Sequence, residues 1–229
     1  MPRRYWYVIL AYIIMQFSGI VGVSFLYSLT SLNLVDASIY WTMFSFFAGL
    51  IVILYLMRPD MRIERSDEGA SNRGVLLWAV TGVFMAYLAQ FLAITIEIAV
   101  FGIDPGSENT EMIMDISRAT PFFVIIPMFI APILEEIVFR KIIFGFFYKR
   151  MNFFFAALLS ALIFGFIHGE PQHILIYGSM GFVFAYVYVA TKRLITPILV
   201  HIGMNSIAVI VQYTLPSEQA LLQWILIGG

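Results

Sequence analysis

The sequence predicts an all-α, polytopic membrane protein of about seven transmembrane helices with a cytoplasmic N-terminus, and three observations carry that prediction. The 229 residues are 61% hydrophobic, 17% aromatic and only 12% charged, with a mean hydropathy of +0.91, against roughly 25% charged residues in soluble domains. Seven stretches reach or approach the roughly 20 apolar residues that a helix needs to cross a bilayer. Lysine and arginine collect in alternate connections, as the positive-inside rule requires.

The first stretch covers about residues 5–29. Arg3-Arg4 ahead of it resembles the start of a secretory leader, but the uncharged run exceeds an h-region of about 7–15 residues and lacks a small-x-small cleavage site, so a retained span is expected. The other spans are expected at about 37–57, 74–100, 119–147, 151–168, 172–190 and 194–215. With the N-terminus inside, the cytoplasmic connections hold Arg3, Arg4, Arg58, Arg62, Arg65, Arg73, Lys149, Arg150, Lys192 and Arg193, ten residues against Arg118 alone outside. The outer connection from Gly102 to Ser117 is acidic instead, with Asp104, Glu108, Glu111 and Asp115, and its Asp104-Pro105-Gly106 is a turn signal. Beyond Gln212, Pro216 and Glu218 precede an apolar tail, Ala220 to Ile227, too short to cross and expected at the outer interface. The whole chain is expected to be one transmembrane domain, a three-span part at 1–118 followed by a core at 119–215.

The chain contains no cysteine, which excludes disulfides, thiolate catalysis and cysteine-ligated metal. A net charge of −1 gives no sign of nucleic-acid binding. Any chemistry falls to Glu, Asp, His, Ser, Thr, Lys or Tyr, and the fourth span holds the most expensive group of these. Ala131-Pro-Ile-Leu-Glu-Glu-Ile-Val-Phe-Arg140 places Glu135, Glu136 and Arg140 in an apolar run, where each ionisable side chain costs roughly 2.5 kcal/mol or more on insertion scales. Glu136 and Arg140 share a helix face at i, i+4 and can neutralise each other, while Glu135 points about 100° away. An unpaired carboxylate in such surroundings suits a general base.

Two further pairs at helical spacing accompany this motif: Phe164 with His168 at the end of the fifth span, and His201 with Asn205 on the seventh. Counted at about 1.5 Å per residue from the cytoplasmic end, Glu135 lies near 20 Å, His168 near 24 Å and His201 near 12 Å. Their convergence therefore requires tilted or offset helices.

Together E-E-x-x-x-R, F-x-x-x-H and H-x-x-x-N, on successive spans, resemble the CPBP family, the CAAX-protease and bacteriocin-processing (Abi) intramembrane endopeptidases. The resemblance covers roughly Ala119 to Gln212, and the chain as a whole, including Phe101 to Thr110, is similar to Bacillus-type members. It implies that Glu135 and His168 activate a water, that His201 and Asn205 stabilise the oxyanion, and that Glu136 and Arg140 support the base, with Phe164 beside His168. It also implies a peptide or membrane-protein substrate reached within the bilayer, no cofactor and no nucleic-acid partner.

Alternatives stand beside this reading. Glu135, Glu136 and Arg140 could form a structural ion-pair network, and His201 and Asn205 could simply bond helix to helix. Zinc held by Glu135, His168 and His201 is a second enzymatic version, although no H-E-x-x-H pair is present. A non-enzymatic immunity or scaffolding protein is a third, and a proton-coupled transporter, lacking repeat symmetry, a fourth. His173 is expected in a loop or at the headgroups, and Glu97 is expected to reach the outer interface. Lys141 is expected to do likewise on the inner side. Phe153-Phe-Phe155 reads as lipid-facing and packing surface, and Gly178, Gly181 and Ala185 as sites of close helix approach.

Overall fold

The computed structural model of the chain describes residues 1–61, 69–104 and 106–214. The C-terminal tail from Pro216, Arg62, Arg65 and the proline of the Asp104-Pro105-Gly106 turn lie outside the described residues. Among the described residues the fold is all-helical, without a strand. Five helical segments are long and apolar enough to cross a membrane: α3 (Leu34–Met61), α4 with its π-helical extension (Asn72–Phe101), a composite span over Pro121–Tyr148, α9 with its leading 3₁₀ turn (Pro171–Thr191) and α10 (Ile195–Thr214).

The expected first span is two helices, α1 (Arg3–Phe17) and α2 (Gly19–Leu29), which meet at 49° and make a sixth crossing if counted as one. The bend falls on Ser18-Gly19, the small polar pair at which helices kink. Ser18 Oγ donates to Met15 O at 2.9 Å and accepts from Trp41 Nε1 at 3.0 Å. The expected fifth span, α8 (Phe153–Ile167), has only 15 residues, about 22 Å of helix against a hydrocarbon core of about 30 Å. It ends where Gly169 turns to φ +77° and Pro171 forbids continuation.

The acidic outer connection is not a plain loop. Ser107 caps a 12-residue helix, α5 (Glu108–Ala119), with Glu108 and Glu111 in its first turn and Arg118 in its last. That placement matches the helix dipole at both ends.

The Pro121–Tyr148 span is the axis of the bundle. Half of its most apolar window is buried, against 22–39% for the other four long spans. Leu134 and Phe139 are fully enclosed and pack with Val8, Tyr12, Ile53 and Phe164. It is a 3₁₀ turn (Pro121–Val124), a π segment (Ile126–Ile130), α6 (Ala131–Glu135), a second π segment (Glu136–Phe144) and α7 (Gly145–Tyr148), where a single helix was expected. Around it α4 packs on α9 and α10, α8 on α9, and α1 on α3. Because lipid is as apolar as leucine, small residues decide how closely helices approach. A Cβ on Gly181 would stand 3.2 Å from Ala161 Cβ, whereas one on Gly178 would meet nothing. Gly181 and Ala185 therefore serve close packing as expected, and Gly178 does not. Of the three phenylalanines at the start of α8, Phe153 packs edge-on against Phe182, while Phe154 and Phe155 are exposed.

Candidate active site

Glu135 closes α6 and Glu136 opens the π segment that follows it. A π turn carries i to i+5 hydrogen bonds and is found mostly at functional positions in helices. Ser160 of α8 donates to Phe139 O at 3.0 Å and so occupies a carbonyl within it. Glu136 Oε2 forms a wholly buried ion pair with Arg140 Nε at 3.1 Å. The guanidinium lies 4.5 Å from the Phe164 ring and 5.0 Å from that of Phe184, so its remaining charge is met by two aromatic faces.

His201 and Asn205 share one face of α10. His201 Nδ1 donates to Glu136 Oε1 at 3.0 Å, and its Nε2 stands 3.7 Å from Glu135 Oε2. Glu135 does not share the Glu136–Arg140 ion pair, and its neighbour comes from another helix: both carboxylates flank the one imidazole of His201. Their exposures still separate them, since the Glu135 side chain keeps 14% of its surface and that of Glu136 none. Asn205 Nδ2 donates to Pro127 O at 2.8 Å. Pro127 lies in the span's first π segment, so the asparagine is anchored to the helix that carries the carboxylates.

His168 is the C-cap of α8, and its Nδ1 donates to Phe164 O at 2.7 Å. A carbonyl only accepts, so Nδ1 carries a proton, and in the neutral ring Nε2 keeps its lone pair on the far side. Phe164 lies edge-on to both histidines, with centroids 4.5 Å from His168 and 6.0 Å from His201. Glu135, Phe164, His168, His201 and Asn205 all line one cavity of about 370 Å³, within the range of ligand sites. The depth offset counted from sequence is taken up by the short α8, which ends at the level of the cavity.

Sequence reasoning missed a second layer. Tyr177 stacks on His168 at 4.2 Å and 25°, and its hydroxyl donates to Glu170 Oε2 at 2.6 Å. The same carboxylate accepts from Ser107 Oγ at 2.8 Å and, through Oε1, from Asn109 N–H at 3.2 Å. Burial pushes the Glu170 carboxyl up, but these hydrogen bonds and nearby His173 outweigh it and hold it below the usual carboxylate range. No local spacing ties Glu170 to Ser107, 63 positions earlier. A lone acid before Pro171, in the short polar turn from His168 to His173, was the only signal.

Beside this layer one expectation fails and another holds only in part, since His173 does lie in the connection between α8 and α9, at the end of its 3₁₀ turn. Glu97 does not reach the interface and His173 does not meet headgroups: they are 2% and 3% exposed, with His173 Nδ1 2.9 Å from Glu97 Oε2 and Nε2 2.7 Å from Gly106 O. Each found a partner at the same end of the bundle, so neither needed water.

Comparison with known proteins gives the family. The family described as Type II CAAX prenyl endopeptidase Rce1-like matches residues 117–207, from the end of α5 to the middle of α10. YdiL of Bacillus subtilis (strain 168), named a candidate membrane peptidase, is 40% identical over all of this chain and 99% of its own. The membrane-embedded CAAX protease MroQ of Staphylococcus aureus (strain USA300) is 30% identical over 91% of this chain and 88% of its own. No solved structure matches. The chain belongs to the Rce1-like CAAX protease family and is a multi-pass membrane protein of the peptidase class.

Proposed function

We propose that the chain is a glutamate-dependent intramembrane endopeptidase. Glu135, with His168, takes a proton from a water that attacks the substrate carbonyl carbon. The carbonyl oxygen becomes an oxyanion, met by His201 and the free N–H of Asn205. The carbon–nitrogen bond then breaks, and the proton passes to the leaving amine.

One observation carries the reading: a single buried imidazole, His201, lies between an accessible carboxylate at 3.7 Å and a committed one at 3.0 Å. Arg140 and His201 occupy Glu136, which leaves Glu135 for chemistry. For His201 to donate to the oxyanion through Nε2 as well, its ring must carry both protons, and the two flanking carboxylates supply the compensating charge. Losing one such donor commonly costs about 3–4 kcal/mol in the barrier.

In this proposal the carboxylate is the base and no metal takes part. The zinc alternative has one point in its favour: both histidines donate through Nδ1, the arrangement that frees Nε2 for a metal. Against it, no three His, Asp or Glu among the described residues are grouped as an ion would require. Activity that persists after exhaustive chelation separates the two.

The test maps new peptide N-termini in membrane fractions of cells that carry the wild type, Glu135→Gln or His168→Ala. Termini present with the wild type and absent with both variants are expected. An unchanged set of termini would reject the assignment and favour the immunity or scaffolding reading.

A further inference from the structure

We propose that the cavity opens on the extracytoplasmic face and that its substrate is a peptide segment displayed there. The peptide part of the inference rests on the function proposed above. The sidedness does not.

The helices that line the cavity contribute from the same end. Gln16 lies near the end of α1, Thr42 near the start of α3, Gln90 toward the end of α4, His168 at the end of α8, Ile176 near the start of α9 and Gln212 near the end of α10. In an up-and-down bundle these positions alternate between helix ends in sequence and coincide in space. The N-terminal half of the Pro121–Tyr148 span, down to Glu135, completes the wall. Below Glu135 the same span closes the path: Glu136, Val138, Phe139, Arg140 and Ile142 are at most 2% exposed. Water and substrate therefore reach Glu135 from one end only.

The opposite end is the basic one. Arg3 and Arg4 begin α1, Arg58 ends α3, Arg73 begins α4, Lys149 and Arg150 follow α7, and Lys192 and Arg193 join α9 to α10. Contacts confirm that these ends meet. Arg4 pairs with Asp60 at 2.9 Å, and both Thr191 O and Arg193 Nη1 lie 3.0 Å from their partners on Ala70. At the cavity end the exposed charges are Asp104, Glu108, Glu111 and Asp115, with Arg118 beside Asp115 at 3.6 Å. Arg118 also donates to Gln212 O at 3.2 Å, which fixes α5 at the end of α10. Since lysine and arginine stay cytoplasmic, the closed basic end is inside and the open acidic end outside.

The chain lacks cysteine, so single introduced thiols report sidedness directly. A membrane-impermeant maleimide applied to intact bacterial cells is expected to label Asp115→Cys at the outer helix and Ala208→Cys in the cavity wall. Lys149→Cys should react only after permeabilisation. Thr110→Cys is a second cavity reporter if Ala208→Cys does not accumulate. The reverse pattern, with Ala208→Cys and Thr110→Cys shielded in intact cells and Lys149→Cys labelled, overturns the proposal.

The substrate arm uses a pool of quenched, charged peptides that cannot cross a bilayer, added to right-side-out and to inside-out vesicles. Cleavage that needs Glu135 only in right-side-out vesicles is the expected result. Glu135-dependent cleavage only in inside-out vesicles defeats the sidedness and leaves the peptidase standing. Cleavage that Glu135→Gln does not reduce defeats the peptidase, and the labelling alone then decides the side.

Discussion

His201 Nδ1 lies 3.0 Å from Glu136 Oε1, a hydrogen bond closed off from solvent on both sides and spanning 65 positions of sequence. It joins α10 to the π segment of the axial span. Because Glu136 also pairs with Arg140, a single carboxylate fixes both a positively charged group and the imidazole next to Glu135. In the proposed function, positioning falls to Glu136 and chemistry to its neighbour Glu135.

That division predicts opposite phenotypes. Glu136→Ala leaves a buried guanidinium without its counter-charge, a loss of about 3–5 kcal/mol, and is expected to lower thermal stability in detergent sharply. Glu135→Gln keeps the shape of a side chain that is 14% exposed and should change stability by less than about 1 kcal/mol while abolishing cleavage. Equal melting temperatures for the two variants would contradict the assignment.

Arg140→Lys should not rescue the site. The guanidinium carbon lies 4.5 Å from the Phe164 ring centroid and 5.0 Å from that of Phe184, and an ammonium keeps the charge but not the broad, weakly hydrated surface that suits two aromatic rings. A loss of about 1–2 kcal/mol is expected from the ring contacts, read as a drop in melting temperature. Gly181→Val should have a similar effect, because a Cβ there stands 3.3 Å from Arg140 Nη2 and from the Ala161 backbone.

What was legible in the sequence follows from distance along the chain. Glu136 with Arg140 and His201 with Asn205 are four residues apart, so helical period alone put each pair on one face, and charge segregation revealed the two ends of the bundle. Glu135 meeting His201, 66 positions on, was expected only through the family resemblance, because nothing local says which helices touch. At the break Ser18 accepts from Trp41, 23 positions on, a contact that no local pattern announces, and α5 was hidden by an acidic composition that suits a loop as well as a capped helix. Glu97 and His173 were misplaced for one reason: a polar group at a helix end is read as solvated unless its partner is known, and each was the other's partner.

Tyr177 is expected to act on His168 through its ring rather than its hydroxyl. Tyr177→Phe keeps the stacked face at 4.2 Å and loses only the bond to Glu170, so cleavage should fall by a small factor. Tyr177→Leu removes the aromatic face and frees the imidazole. Misplacement by about 1 Å can cost on the order of 100-fold, so a drop approaching that size in kcat is expected with little change in KM. Equal rates for Phe and Leu would show that the stack does not position the imidazole.

Glu170 sets an acid limit on stability. Its carboxyl is held below the ordinary value by hydrogen bonds from Tyr177, Asn109 and Ser107. A group whose folded-state value is depressed contributes stability that is complete above its unfolded value of about 4.3. That contribution is lost as pH falls through the lower folded value. Melting temperature in detergent should therefore hold steady from neutral pH to about 5 and decline below that. Glu170→Gln is expected to flatten part of the acid decline and to lower stability near pH 7, where the wild type holds its full complement of hydrogen bonds. An acid decline identical in wild type and Glu170→Gln would show that this carboxylate does not set the limit.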